Sequence, residues 1–177
     1  MRLFHFSDDP DIQRFVPRPV TTPSPRRPGE AWLNGPLVWA IAETRDYLYL
    51  FPRDCPRILL WATPQTTTAD RELWLGTRGG AVAAIIEQDW ASRLARAEIH
   101  RYDLPPERFE DLNDAGMHVS RHPVIPNGVE TLRDLPGHLA ARGVELHTVE
   151  ALTPLKTLWS TTLHVSRVRL RHARGWR

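Results

Sequence analysis

Two short segments pair a histidine with a serine two residues on: His5 with Ser7 in RLFHFS, and His118 with Ser120 in HVSRHPVIP. In an extended strand, residues two apart point to the same side. Each pair can therefore offer an imidazole and a hydroxyl together to a ligand or to a proton in transfer. The competing reading, a hydrogen-bonded strand face with no chemistry, is the commoner outcome for such pairs. Arg121 and His122 follow the second pair and extend it toward an anionic ligand. His118 and His122, four apart, would share a metal on a helix, but Pro123 argues against a helix there. No metal ligand is assigned. A metal-dependent hydrolase that joins His5 to these histidines is kept as a lesser alternative.

A third candidate is FPRDCPR at 51–57, which contains Cys55, the single cysteine of the chain. Pro52 and Pro56 fix their own φ and restrain the residues before them. The stiffness presets Arg53 and Arg57 for an anion, and places Asp54 between two guanidinium groups. An internal bridge from Asp54 to one of these arginines is expected. Neighbouring cations would lower the pKa of Cys55 and make it a nucleophile. Against this, no histidine lies near in sequence, and free cysteine is commonly buried as a small apolar residue. The preferred reading is a rigid helix-to-strand corner. The GTRGG run at 76–80 precedes an apolar segment and gives a short, weak match to an anion-binding helix start.

The elements that must position these residues follow from pattern and punctuation. RLFHFS alternates as a first strand, with Leu3, His5 and Ser7 on one side and Phe4 and Phe6 on the other. Prolines at 17, 19, 23, 25, 28 and 36 make residues 20–34 an exposed loop. PLVWAI reads as a buried strand, 42–50 as a short helix ended by Pro52, and RILLWAT as an apolar central strand. Residues 63–76 read as a polar connection. Residues 80–97 read as the clearest helix, with Val82, Ile85, Ile86, Trp90 and Leu94 as its stripe. EIHRYDL, MHV and 144–149 read as strands, with a short helix at PPERFEDL and another ending at Ala141 before Gly143. LHVSRVRLRHA closes the chain as an amphipathic strand, followed by a basic tail at 171–177. The class is α+β: a single domain over 1–177 with one mixed twisted sheet of about six or seven strands and three or four short helices.

Composition narrows the classes of function. With 177 residues, an apolar fraction of 41% and seven tryptophans, the chain can build a substantial core. One cysteine excludes an internal disulfide and a multi-cysteine zinc site. The start of the chain lacks the pattern of a secretory signal, and no apolar run is long enough to span a membrane. A cytoplasmic location is the expectation. Net charge is +2, and Lys156 is the sole lysine, so the cationic charge is almost all arginine. A GC-rich coding bias explains most of that. The C-terminal cluster VSRVRLRHARGWR is the part that could touch nucleic acid, although aromatic residues are sparse within it.

The segments LFHFSDDPDIQRFVPRP, LVWAI, YLFPRDCPR, HRYDLP, HVSRHPVIP, GVELHTV and VSRVRLRHA together resemble a small bacterial family of unknown function. A second resemblance is to the opening of ADP-ribosyltransferase-like domains: a strand bearing His-x-Ser, a further strand, then a helix with tyrosine. It implies that His5 holds the nicotinamide-side ribose and that Tyr47 or Tyr49 stacks on nicotinamide, with NAD as cofactor. Glu130 and Glu145 are available as the third residue, but neither stands in a matching motif. The leading expectation is thus a transferase-like domain using a nucleotide of the NAD or ADP-ribose type. Its site would gather His5, Ser7, Arg53, Arg57 and the 118–122 segment. The alternative is a non-enzymatic binding protein for an anionic partner, whether a small anion, a nucleotide or a nucleic acid.

Overall fold

The computed structural model describes residues 1–21, 23, 25–76 and 82–176. In chain order these form β1 (Leu3–Ser7), β2 (Val38–Ala42), β3 (Arg57–Trp61), α1 (Thr68–Leu75), β4 (Val82–Glu87), α2 (Ala91–Arg96) and β5 (Ile99–Leu104). There follow β6 (Glu110–Asp111), β7 (Met117–Ser120), β8 (Gly128–Leu132), α3 (Leu135–Ala141), β9 (Val144–Val149) and β10 (His164–Val168). Short 3-10 segments join them, the two longest being Glu43–Tyr49 and Thr153–Ser160. The fold is α+β, as the sequence implies. Its strands are divided over two sheets rather than gathered in one.

The chain makes two compact units. The first comprises Met1–Asp46 and Ile99–Leu132, the second Tyr47–Glu98 and Arg133–Arg177. The first is built on the six-stranded sheet β6-β7-β2-β1-β5-β8, antiparallel throughout. One face of it is covered by Phe15 and Val124, whose segments are bridged backbone to backbone. Leu3, Val38, Ala40, Ala42, Tyr102 and Leu104 form the core beneath. Tyr102 anchors the covering segment. Its hydroxyl donates to the Asp9 carbonyl at 2.7 Å and accepts from the Ile12 amide at 3.0 Å.

The second unit is built on the four-stranded sheet β10-β3-β4-β9, in which only β4 and β9 run parallel. Its core joins Ile58, Leu60, Ala83 and Ile85 to Leu152, Leu158 and Leu163. The parallel pair is reached through α2, β5–β8 and α3, and α3 is well signalled. Asp134 caps it by accepting from the Gly137 amide at 3.2 Å. Gly143 ends it at φ +68°, a conformation that glycine adopts without strain.

Several segments differ from expectation: PPERFEDL is a 3-10 turn at Pro106–Arg108 followed by β6, the closing strand stops at Val168, and three others differ more. The stripe placed on a helix over 80–97 is instead β4 followed by a 3-10 turn and the short α2. VAAIIE is hydrogen-bonded on both sides, to β3 and β9, and all but its first residue are buried. An apolar run buried on both faces loses the alternation that marks a strand, so its spacing mimics a helix. The connection at 63–76 contains α1, capped by Thr67, whose hydroxyl accepts from the Asp70 amide. The turn after His122 leads into β8, an edge strand exposed at four of its five positions. Residues 77–80 of GTRGG lie outside the described residues.

Candidate functional site

The register of the first unit gathers the two His-x-Ser pairs on one sheet face. Paired residues of an antiparallel ladder share a face. Ser7 pairs with His100, and His100 with Thr131; His118 pairs with Ala40, and Ser120 with Val38. His5, Ser7, His100, His118 and Ser120 thus lie on the face covered by Phe15 and Val124. His100 is an addition that the sequence reading did not single out, although HRYDL carried it in plain view.

Proximity does not make these groups reactive, because each has a local bond. His5 donates through Nδ1 to the Trp39 carbonyl at 2.8 Å, and its ring lies 4.6 Å from that of Phe15. The Ser7 hydroxyl accepts from the Asp9 amide at 3.1 Å. His100 Nδ1 meets the Thr131 hydroxyl at 3.1 Å. His118 donates through Nδ1 to the Gly116 carbonyl at 3.0 Å. Its Nε2 is buried without a hydrogen-bond partner, 3.8 Å from Asp111 Oδ2. Ser120 closes a turn with the backbone of His122, while His122 itself is exposed. Arg121 is exposed too. It pairs with Glu110 at 3.1 Å and lies over the Trp32 ring. Among the described residues no three His, Cys, Asp or Glu side chains are grouped to hold a metal ion.

The remaining candidates belong to the second unit. Tyr47 is buried, with its ring edge-on to Trp61 at 6.4 Å. Tyr49 is half-buried, and the Arg57 guanidinium lies 5.8 Å from its ring centre. Arg57 is 3% exposed. It donates twice to the Leu48 carbonyl, at 3.0 and 2.8 Å, and once to the Cys55 carbonyl at 3.1 Å. The expected bridge to Asp54 therefore gives way to backbone bonds. Asp54 is exposed and faces His172 at 3.7 Å, and Arg53 is exposed. FPRDCPR is a corner whose buried arginine ties the end of a 3-10 segment to the start of β3.

Cys55 is fully buried, and burial pushes its thiol up to about 12 in spite of Arg57 nearby. A thiol held protonated and out of solvent is a poor nucleophile. A disulfide reagent added to the native protein at pH 8 is expected to label Cys55 only as fast as the chain unfolds. The raised value also sets a direction with pH. The unfolded chain loses this proton near pH 9 and the native chain near 12, so stability falls as pH rises through that window. The fall in urea midpoint above pH 9 should be steeper in the wild type than in Cys55→Ala.

A groove of about 200 Å³ lies along β10 and the 3-10 segment Thr153–Ser160, lined by Leu158, Trp159, Thr161, Leu163, Val165 and Arg167. In register with Leu60 and Ile58, Val165 and Arg167 lie on the core side of the sheet, so the arginine leans over the groove rather than away from it. Its guanidinium is 5.2 Å from the Trp159 ring centre. Trp159 is 38% exposed. Its ring centre is 6.1 Å from that of Trp176, over which the Lys156 ammonium sits at 4.9 Å. Two indoles and two cations thus converge from three separate segments. Lys156 and Trp159, three apart on a helical turn, were the one local signal for this cluster.

The chain belongs to a family of unknown function, DUF6886, whose model matches residues 4–173. No curated protein and no solved structure matches it. The likeness to ADP-ribosyltransferase-like domains gains no support from these comparisons. Among the described residues no helix is long and apolar enough to cross a membrane.

Proposed function

We propose that this chain is a binding module for an anionic partner, received at the groove along β10. The observation that carries the reading is Arg167 held beside the ring of the partly exposed Trp159, with no carboxylate paired to it among the described residues. Among the described residues no acidic side chain lines the groove. By contrast Arg174, a few residues on, is matched by Asp89 at 2.6 Å and Glu150 at 3.9 Å. The charge of Arg174 is matched within the chain while that of Arg167 is left for a partner, which is the arrangement that electrostatic recognition needs.

A transferase site at His5 has less to support it. His5 lies under Phe15, and its Nδ1 is committed to a backbone carbonyl. Among the described residues the groove is lined by no histidine, cysteine or carboxylate, which favours the module reading over an enzyme. The test is retention on a polyanionic matrix such as heparin. Wild-type protein is expected to elute at distinctly higher salt than Lys156→Glu/Arg167→Glu. Identical elution of the two would remove the groove from consideration.

A further inference from the structure

We infer that the partner received at this groove is single-stranded nucleic acid, its bases stacking on Trp159 while its phosphates meet Lys156 and Arg167. The inference rests on the anion-binding reading and narrows it. Three observations favour this polymer over other anions. First, the groove is small. Pockets that enclose a free ligand measure roughly 300–1,000 Å³, whereas this one holds about 200 Å³ and opens to solvent through Trp159. It cannot bury a dinucleotide cofactor, but it can seat one planar ring at a time.

Second, the cations are placed against aromatic faces rather than apart from them. Arg167 lies over Trp159 and Lys156 over Trp176, and the two indoles adjoin. Alternating flat apolar surface and positive charge match a chain of alternating bases and phosphates. An acidic peptide or a polyphosphate would use the charge and leave the indole idle. Third, β10 is an edge strand. Among the described residues no strand pairs with its outer side. An extended polymer can run along it with backbone amides and carbonyls within reach. A duplex hides its base faces and could not use the exposed indole.

The experiment measures binding of the full chain to fluorescein-labelled dT12 and U12 by anisotropy, across 50–200 mM salt. Polyphosphate, polyglutamate and a 12-base-pair duplex serve as unlabelled competitors. The strand is expected to bind with a log–log salt slope of about −1 to −2, at roughly 0.7 per phosphate neutralised. Trp159→Ala should weaken binding about tenfold, within the range for one stacked base, and leave the slope unchanged. Arg167→Ala should reduce the slope by about 0.7. Trp159→Leu keeps the apolar contact but not the ring, and should weaken binding as much as alanine if the alanine variant proves unstable. The inference is overturned if polyphosphate or polyglutamate displaces the strand at equal charge while Trp159→Ala binds normally. That result would leave a charge-only surface and the broader reading intact. Duplex binding as tight as the single strand also overturns it. If no polyanion binds, the broader reading falls with it. The ratio of dT12 to U12 affinity decides which sugar is preferred.

Discussion

Replacing Arg57 by methionine is expected to lower the stability of the protein by about 3 kcal/mol, read as a drop of roughly 1.5 M in the urea midpoint for a slope of about 2 kcal/mol per molar. Two opposing effects meet at one buried guanidinium. Burial disfavours the charge and holds Arg57 down to about 10, which represents a cost of about 3 kcal/mol. Against it stand three charge-assisted hydrogen bonds, each contributing about 1.5–3 kcal/mol. The bonds win, and the margin is the net value of the arginine. Methionine fills much of the volume but leaves the Leu48 and Cys55 carbonyls without a donor in a buried place. Among the described residues no carboxylate pairs with this charge. The ring of Phe51 at 4.8 Å and the carbonyl end of the 3-10 segment Glu43–Tyr49 take that part.

Lysine should recover less than half of the loss at this position. A single ammonium on a flexible stem cannot reproduce a planar fork that reaches two carbonyls at once. A midpoint for Arg57→Met within 0.5 M of the wild type would show that the carbonyls find other donors, and the corner would lose its central support.

The same corner shows what the sequence could and could not disclose. The prolines of FPRDCPR announce a rigid turn, and a rigid turn is what forms. The destination of Arg57 was not readable. Its acceptors are main-chain carbonyls, and every residue carries one. A charge pattern that names Asp54 as the neighbour says nothing about a carbonyl nine positions back at Leu48. The His-x-Ser pairs repeat the lesson. Period two places His5 and Ser7 on one side, and His118 and Ser120 on one side, and the register confirms that these sides coincide. Their commitment to the carbonyls of Trp39 and Gly116 and to the Asp9 and His122 amides lay beyond any spacing rule.

The helix mistaken at 80–97 and the groove at β10 failed for different physical reasons. In β4 the local signal was present and ambiguous, because burial on both faces removes the polar half of the alternation. At the groove the signal was dispersed. Trp159, Arg167 and Trp176 stand on a 3-10 turn, an edge strand and the chain end, and only the packing of Val165, Leu158 and Leu163 draws them together. Aromatic residues that look sparse along the C-terminal segment become adjacent once the chain turns back on itself.

In the first unit, removal of Arg101 should rank second in cost. Asp46 is fully buried, and Arg101 donates to its carboxylate at 3.2 Å. The same guanidinium reaches Glu130 at 2.6 Å and lies 4.5 Å over the ring of Phe4. The two carboxylates should differ sharply in what they contribute. Glu130 is more than half exposed, so Glu130→Ala is expected to change stability by less than about 1 kcal/mol. Arg101→Met keeps the packing over Phe4 while taking the cation from a carboxylate that water cannot reach, and is expected to cost about 3 kcal/mol. Most of that cost is the weakened compensation of a buried charge on Asp46 rather than the strength of the one bond. It follows that Asp46→Asn, introduced into Arg101→Met, should restore part of the loss even though it removes a second native group. A double-mutant cycle from urea midpoints measures this directly. A coupling of at least about 1.5 kcal/mol is expected, and additive losses would show that Asp46 draws its compensation from elsewhere in the unit.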